Sequence, residues 1–195
     1  RASVPIRSVL NDDAFRNSKA ELPVAIGRTF GDEVKVFDLA RAPHLLIAGA
    51  TQQGKTEAIH AIVASLLYSK RSSELKFVFI DPKGCDFTAY KRLLKHYLAV
   101  LPTAGSEEEE AENAIINKAK DAADVLNSLC VEMDDRYALL ALAGVNKLKD
   151  YNEKYRDRKL LPTDGHKYLP YIVVVIDEFA DLTMSSGFGS EGKAM

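Results

Sequence analysis

Apolar positions in this chain fall into three patterns, and each predicts a different element. Val24-Ala25-Ile26-Gly27-Arg28 and Val34-Lys35-Val36-Phe37-Asp38 are short alternating runs on either side of Phe30-Gly31-Asp32, the spacing of a β-hairpin. His44-Leu45-Leu46-Ile47-Ala48, Leu75 to Ile80 and Tyr171 to Ile176 are unbroken apolar runs. Runs of that length, rich in β-branched and aromatic residues, predict buried strands of a parallel sheet covered on both faces. Ile115, Ala119, Ala122, Ala123, Leu126, Leu129, Cys130 and Met133 keep helical spacing, which predicts a long core-facing helix reaching about Ala143. A further helix is expected over Glu57 to Lys70, and a short one over Asn11 to Lys19, capped by Asn11 or Asp12. Strands alternating with helices give an α/β fold, with a mainly parallel sheet flanked by helices and a small β-rich lead-in. The expected organisation is a lead-in over 1–43, an α/β core over 44–184, and a Gly/Ser-rich tail or linker over 185–195.

The chemistry begins where the first of those strands stops. Gly49-Ala50-Thr51-Gln52-Gln53-Gly54-Lys55-Thr56 fits G-x-x-x-x-G-K-[ST] at every constrained position. It stands between an expected strand and an expected helix, the context that gives the pattern its specificity. In such a loop, successive backbone N–H groups turn inward around an anion at the positive end of the helix. Gly49 and Gly54 permit backbone shapes that a Cβ would oppose. Lys55 reaches the β- and γ-phosphates, and the Thr56 hydroxyl is a Mg²⁺ ligand. The motif therefore points to ATP with Mg²⁺.

A second set of groups follows the Tyr171–Ile176 run. Asp177 and Glu178 stand at its carboxyl end, where open α/β sheets keep their ligand sites. An Asp there serves the metal, and a carboxylate beside it can polarise an attacking water as general base. The competing reading is a helix that starts with acidic residues suiting its dipole. Asp81-Pro82-Lys83, after the Leu75–Ile80 run, admits two readings as well: a nucleotide-side pair, or a turn built from Asp and Pro.

These residues resemble one family, the FtsK/SpoIIIE DNA translocases. The likeness runs from about Val4 to about Met184. It includes Pro43-His44-Leu45-Leu46-Ile47-Ala48-Gly49, Phe79 to Lys83, Glu132-Met133-Asp134-Asp135-Arg136-Tyr137 and Tyr151-Asn152-Glu153-Lys154. Asp177-Glu178-Phe179-Ala180-Asp181-Leu182 after a Val-rich strand is its most specific stretch. The resemblance implies a RecA-like motor that assembles as a ring, taken as a hexamer, and uses ATP to pump double-stranded DNA in chromosome segregation and cell division. By matching position, Lys55 and Thr56 serve phosphate and Mg²⁺, Asp177 the metal, and Glu178 the water. The family's motor is attached to an N-terminal membrane anchor outside these residues, so a cytoplasmic domain of a membrane-anchored bacterial protein is expected. Alternatives are a related P-loop motor for conjugation or protein secretion, and a nucleotide-binding assembly module without turnover.

The chain departs from the family pattern in three places. Gln52-Gln53 stand where Gly-Ser is usual, and Gly144-Val145-Asn146-Lys147 where Gly-Val-Arg-Asn is frequent. Residues 185–195 do not resemble the family's helix beyond the acidic strand. Further strands follow that strand in the family, one of them inserting beside it, and without that strand the sheet is expected to keep an open edge or pair differently.

Composition narrows the remaining choices. A formal net charge of −2, from 26 basic and 28 acidic residues, excludes an overall basic field for DNA. The basic residues Lys147, Lys149, Lys154, Arg156, Arg158 and Lys159 are interleaved with Asp150, Glu153 and Asp157, which reads as a salt-bridged surface helix. Ser106 and Glu109 have capping-box spacing, so the Glu107–Glu110 run reads as a helix start rather than a binding patch. Cys85 and Cys130 make no disulfide scaffold, and neither they nor the four scattered histidines form a metal-ligand pattern. No apolar run approaches the ~18 residues of a membrane span, and Arg1-Ala2-Ser3-Val4-Pro5 does not read as a signal peptide.

Overall fold

The computed structural model describes residues 4–50, 53–101 and 106–184. The chain divides into two compact units, residues 1–71 and 72–195.

In the first unit, helix α1 (Ile6–Leu10) leads into the single-turn α2 (Asp13–Arg16). Asp12 caps α2, its Oδ1 accepting the Ala14 amide at 3.0 Å, so one of the two expected caps is used. The expected Asn11–Lys19 helix is only those four residues long, and α1 was not foreseen. The hairpin is present: β1 (Pro23–Val24) pairs antiparallel with β2 (Phe37–Asp38), and an Arg28–Val34 bridge continues it. Arg28 braces its turn, donating to the Asp32 carbonyl at 2.7 Å, the Ser8 carbonyl at 3.2 Å and Asp12 Oδ2 at 3.1 Å. Val9, Leu10, Phe15, Ala25 and Val34 form the core, with Ala64 of helix α3 (Lys55–Ser69) packed against it.

Helix α3 is seated deeply. Val63, Ser65 and Leu66 are fully buried, and the Ser65 hydroxyl accepts the Ala25 amide at 3.2 Å while lying 3.1 Å from the Ala25 carbonyl. A buried hydroxyl is tolerated only when so paired. The helix that carries the phosphate loop is thus pinned to the lead-in.

The second unit is built on a three-stranded parallel sheet in the order β4-β3-β5. The central strand β3 (Leu75–Ile80) pairs along its whole length with β5 (Tyr171–Ile176), from Leu75 opposite Tyr171 to Ile80 opposite Ile176. On its other side β3 meets a single bridge at Leu98, then β4 (Ile115–Ile116) opposite Phe79 and Ile80. Helix α4 (Glu107–Glu112) starts as the capping box predicts, with Ser106 Oγ accepting the Glu109 amide at 3.4 Å. The long helix α5 (Ala119–Leu142) puts Ala122 and Val125 into a core with Val78, Ile80 and Leu182. Helix α6 (Leu148–Arg156) follows, and α7 (Phe179–Met184) comes after β5.

Three expectations differ from these elements. Ile115 was assigned to the α5 stripe, but Ile115-Ile116 instead close the sheet edge, so the helix starts at Ala119. Residues 45–50 form no strand, and Leu45 and Leu46 are 47% and 87% exposed. An apolar run becomes a strand only where an edge offers it hydrogen bonds, and none of the described residues pairs with this one. β5 was expected to be covered on both faces, yet it is half-buried, with Val174 37% exposed, and among the described residues it pairs with β3 alone.

Candidate nucleotide site

One group of candidate residues lies in the first unit, at the start of α3. The Gln53 amide donates to the Ala50 carbonyl at 3.0 Å, closing a turn ahead of Gly54. Gly54 is the N-cap of α3 with φ +95°, a left-handed geometry that glycine adopts without steric cost. No side chain caps this helix. The first-turn N–H groups have no intrahelical acceptors, and they carry the positive end of the helix dipole. Lys55 and Thr56 occupy the first two helical positions, both half-buried, while Gly49, Ala50 and Gln53 are exposed. Thr51 and Gln52 lie outside the described residues.

Those features suit a phosphate chain. A glycine in the left-handed region, uncapped helix N–H groups and a lysine at the first turn together supply donors and charge for an anion. The Thr56 hydroxyl adds an oxygen of the kind Mg²⁺ accepts.

A separate group of candidate residues lies in the other unit, at the carboxyl end of β5. The Asp177 amide donates to the Ile80 carbonyl at 3.1 Å, carrying the β3–β5 ladder one step past the last strand pair. Asp177 is buried, 6% exposed, and Glu178 is half-buried beside it. A carboxylate buried at a strand end is the hard-oxygen donor that a divalent cation needs. Phe179 starts α7 directly after Glu178, so the strand passes into the helix with a single residue between Asp177 and the first turn.

Directly after the end of β3 stands Asp81, fully buried. Its Oδ1 accepts the Gly84 amide at 2.9 Å, and its Oδ2 the amides of Asp86 and Phe87 at 2.9 and 3.2 Å. Of the two readings of this segment, the turn is the one observed for Asp81. Gly84 enters the same turn at φ +70°. Lys83, on the turn, pairs with Asp181 of α7 at 3.7 Å. The Lys83–Asp181 pair was not foreseen, because its two members are far apart in sequence.

The basic residues of α6 and the loop after it are engaged locally. Lys154 donates to the Ala143 carbonyl at 2.8 Å, Arg156 to the Asn152 carbonyl at 3.4 Å, and Lys159 pairs with Asp157 at 2.8 Å. Of these contacts only Lys159–Asp157 is an ion pair, and it lies past the end of α6, whereas Lys154 and Arg156 are held by backbone carbonyls.

Among the described residues no group of His, Cys, Asp and Glu forms a separate metal cluster, and no helix is long and apolar enough to cross a membrane.

Comparison with known proteins agrees with the resemblance read from the motifs. The chain is 42% identical over 184 residues to the DNA translocase FtsK of Chlorobaculum tepidum, covering 94% of this chain and 21% of that protein. It is 34% identical to the FtsK of Haemophilus influenzae, covering 96% of this chain and 36% of that one. The chain thus spans between 21% and 36% of the length of these two relatives. Among solved structures, the monomer form of the pCW3 conjugation coupling protein TcpA with ATPgS is similar at a TM-score of 0.63 and 26% identity, over 94% of this chain and 43% of that one. The cytoplasmic domain of the Type VII secretion ATPase EccC from Thermomonospora curvata superposes at 0.68 with 24% identity, over 95% of this chain and 22% of that one, a likeness of fold. The α/β P-loop class expected from the sequence holds. A family model described as FtsK/SpoIIIE family matches residues 5–192, and the chain belongs to that family.

Proposed function

We propose that the chain is the ATP-binding and hydrolysing segment of a ring-forming double-stranded DNA translocase. The observation that carries this reading is the left-handed Gly54 at the uncapped start of α3, immediately before Lys55 and Thr56, in a chain of this family. Gly49, Ala50, Thr51, Gln52, Gln53 and Gly54 supply the backbone that wraps the phosphates, and Lys55 neutralises the β- and γ-phosphates. Thr56 and Asp177 are the protein's Mg²⁺ ligands. Bound Mg²⁺ supplies charge neutralisation on the phosphate oxygens. Glu178 orients the attacking water and takes its proton. The Lys55 charge, held by the deeply seated α3, stabilises the charge that develops on the transferred group.

DNA as cargo, a hexameric ring, a membrane anchor on the longer protein and a role in chromosome segregation complete the reading. DNA as cargo draws on the name of the relatives, DNA translocase, and the other three draw on the family resemblance alone. A net charge of −2 counts against strong DNA binding by this segment alone, and in a ring a few basic residues from each subunit would have to line the channel.

A second reading, a conjugation or secretion motor, draws on the likeness to TcpA. Hydrolysis by the intact protein, with and without duplex DNA, tests the choice. A DNA translocase is stimulated by duplex, whereas a polypeptide motor is indifferent to it. Glu178→Gln separates both from a module that only binds nucleotide. In a motor it abolishes phosphate release and leaves Mg-ATP bound, whereas no release before or after the change sinks the motor reading.

A further inference from the structure

The turn after β3 and the helix after β5 are joined by one ion pair, and its placement gives it a role. Asp81 is fully buried and spends its carboxylate on three backbone amides of its own turn. Burying a carboxylate is costly, and three N–H donors are what make it tolerable. The product is a stiff turn at the carboxyl end of the central strand. Lys83 rides on that turn, and its ammonium lies 3.7 Å from Asp181.

Helix α7 needs such support. It has six residues, too few to hold helical shape unaided. Leu182 fixes it from inside, packed with Val78 and Ile80 of β3. Asp181 fixes it from outside through Lys83. Because Glu178 immediately precedes Phe179, the placement of α7 sets the direction in which the Glu178 carboxylate points.

We propose that Lys83 is a positioning residue for Glu178, acting through Asp181 and α7 rather than touching the nucleotide. The inference rests on the assignment of Glu178 as the group that activates water. The pair adds little to stability, since its side chains are 53% and 42% exposed. What it supplies is orientation, and misplacing a catalytic group by about an ångström costs on the order of a hundredfold in rate.

Steady-state ATP hydrolysis by the intact protein with saturating duplex DNA tests this, using Lys83→Met, Asp181→Asn and the exchanged pair Lys83→Asp with Asp181→Lys. In each single variant kcat should fall roughly ten- to a hundredfold, while KM for Mg-ATP stays within about twofold. The exchanged pair should recover most of kcat. Both positions are half-exposed, and an unchanged melting temperature will show that the variants fold. An unchanged kcat in Lys83→Met, a raised KM with kcat intact (the mark of a phosphate contact), or no recovery in the exchanged pair would each overturn the inference. Glu178→Gln runs alongside. If it still turns over, the assignment of the base falls and this inference with it; if it is inactive while Lys83→Met is fully active, Lys83 alone is misassigned.

Discussion

The side-chain amide of Asn152 on α6 closes a ring of two hydrogen bonds with the backbone of Leu169, donating to its carbonyl at 2.8 Å and accepting its N–H at 3.0 Å. Asn152 and Leu169 are both buried, and Leu169 stands two residues before β5 begins. The helix therefore fixes the point at which the chain enters the strand that delivers Asp177. Beside it, the Tyr151 hydroxyl meets His166 Nδ1 at 3.0 Å, and Arg136 donates to the Pro170 carbonyl at 2.7 Å. Three side chains from two helices thus hold residues 166–170.

That arrangement makes Asn152→Ala costly. Two buried backbone groups lose their partners, and each such loss costs about 1–3 kcal/mol, so a total near 3 kcal/mol is expected. Asn152→Asp should be at least as damaging, because a carboxylate offers the Leu169 carbonyl no donor. Urea unfolding of the three proteins checks this, and an aspartate variant as stable as wild type would contradict the two-bond ring.

The Ser65 hydroxyl makes a comparable bond in the first unit, to the amide of Ala25. Ser65→Ala leaves that amide buried and unsatisfied, with an expected loss of about 1–2 kcal/mol. Hydrogen exchange at the Ala25 amide is the direct readout. Protection there should drop while the amides of β3 keep theirs. Equal protection in both proteins would mean that the hydroxyl does not hold the lead-in.

How far the sequence disclosed the molecule depended on how local each signal was. The Gly49–Thr56 pattern was legible because its chemistry is written in consecutive residues. β3 and β5 were legible because their apolar runs are long for strands, and the β-hairpin because its alternation brackets a glycine turn. What escaped was settled by partners distant in sequence. Ile115 carries helical spacing, yet it and Ile116 pair with β3 residues more than thirty positions earlier. His44–Ala48 looks like a strand, but strand formation is a property of two edges, and the run itself shows only one. Asp81 divided evenly between site and turn because the outcome rested on the amides of Gly84, Asp86 and Phe87, which no side-chain pattern reveals.

Gly54 offers a test of the phosphate loop that does not touch Lys55. Among the described residues, a Cβ there would meet Glu57 Oε2 at 3.9 Å, an ordinary contact, so the cost of a side chain there is the left-handed backbone. Gly54→Ala should therefore lose about 1–2 kcal/mol, and Gly54→Asn less, since asparagine tolerates that region. Mg-ATP affinity, measured by titration calorimetry, should weaken in the same order. If alanine and asparagine bind ATP as tightly as glycine does, the loop does not need this backbone shape for its anion.

Asp38 predicts how acid acts on the lead-in. Burial tends to raise its pKa, but the amides of Leu22, Glu21 and Ala40, together with the Arg41 guanidinium, outweigh burial and hold the carboxyl below its ordinary range. A group whose pKa is lower in the folded state stabilises that state above its unfolded pKa, near 4. The contribution disappears as pH falls through the folded value, because the unfolded chain takes up the proton first. Asp38→Asn keeps one acceptor oxygen but turns an N–H₂ group towards amides that need an acceptor. It should be less stable than wild type by about 2 kcal/mol at pH 6. The gap between the two proteins should then narrow as pH is lowered from about 4 towards 2. Urea midpoints at pH 6, 4, 3 and 2 measure the effect, and a gap that stays constant across that range would show that the Asp38 charge contributes nothing to holding β2 against residues 21–22.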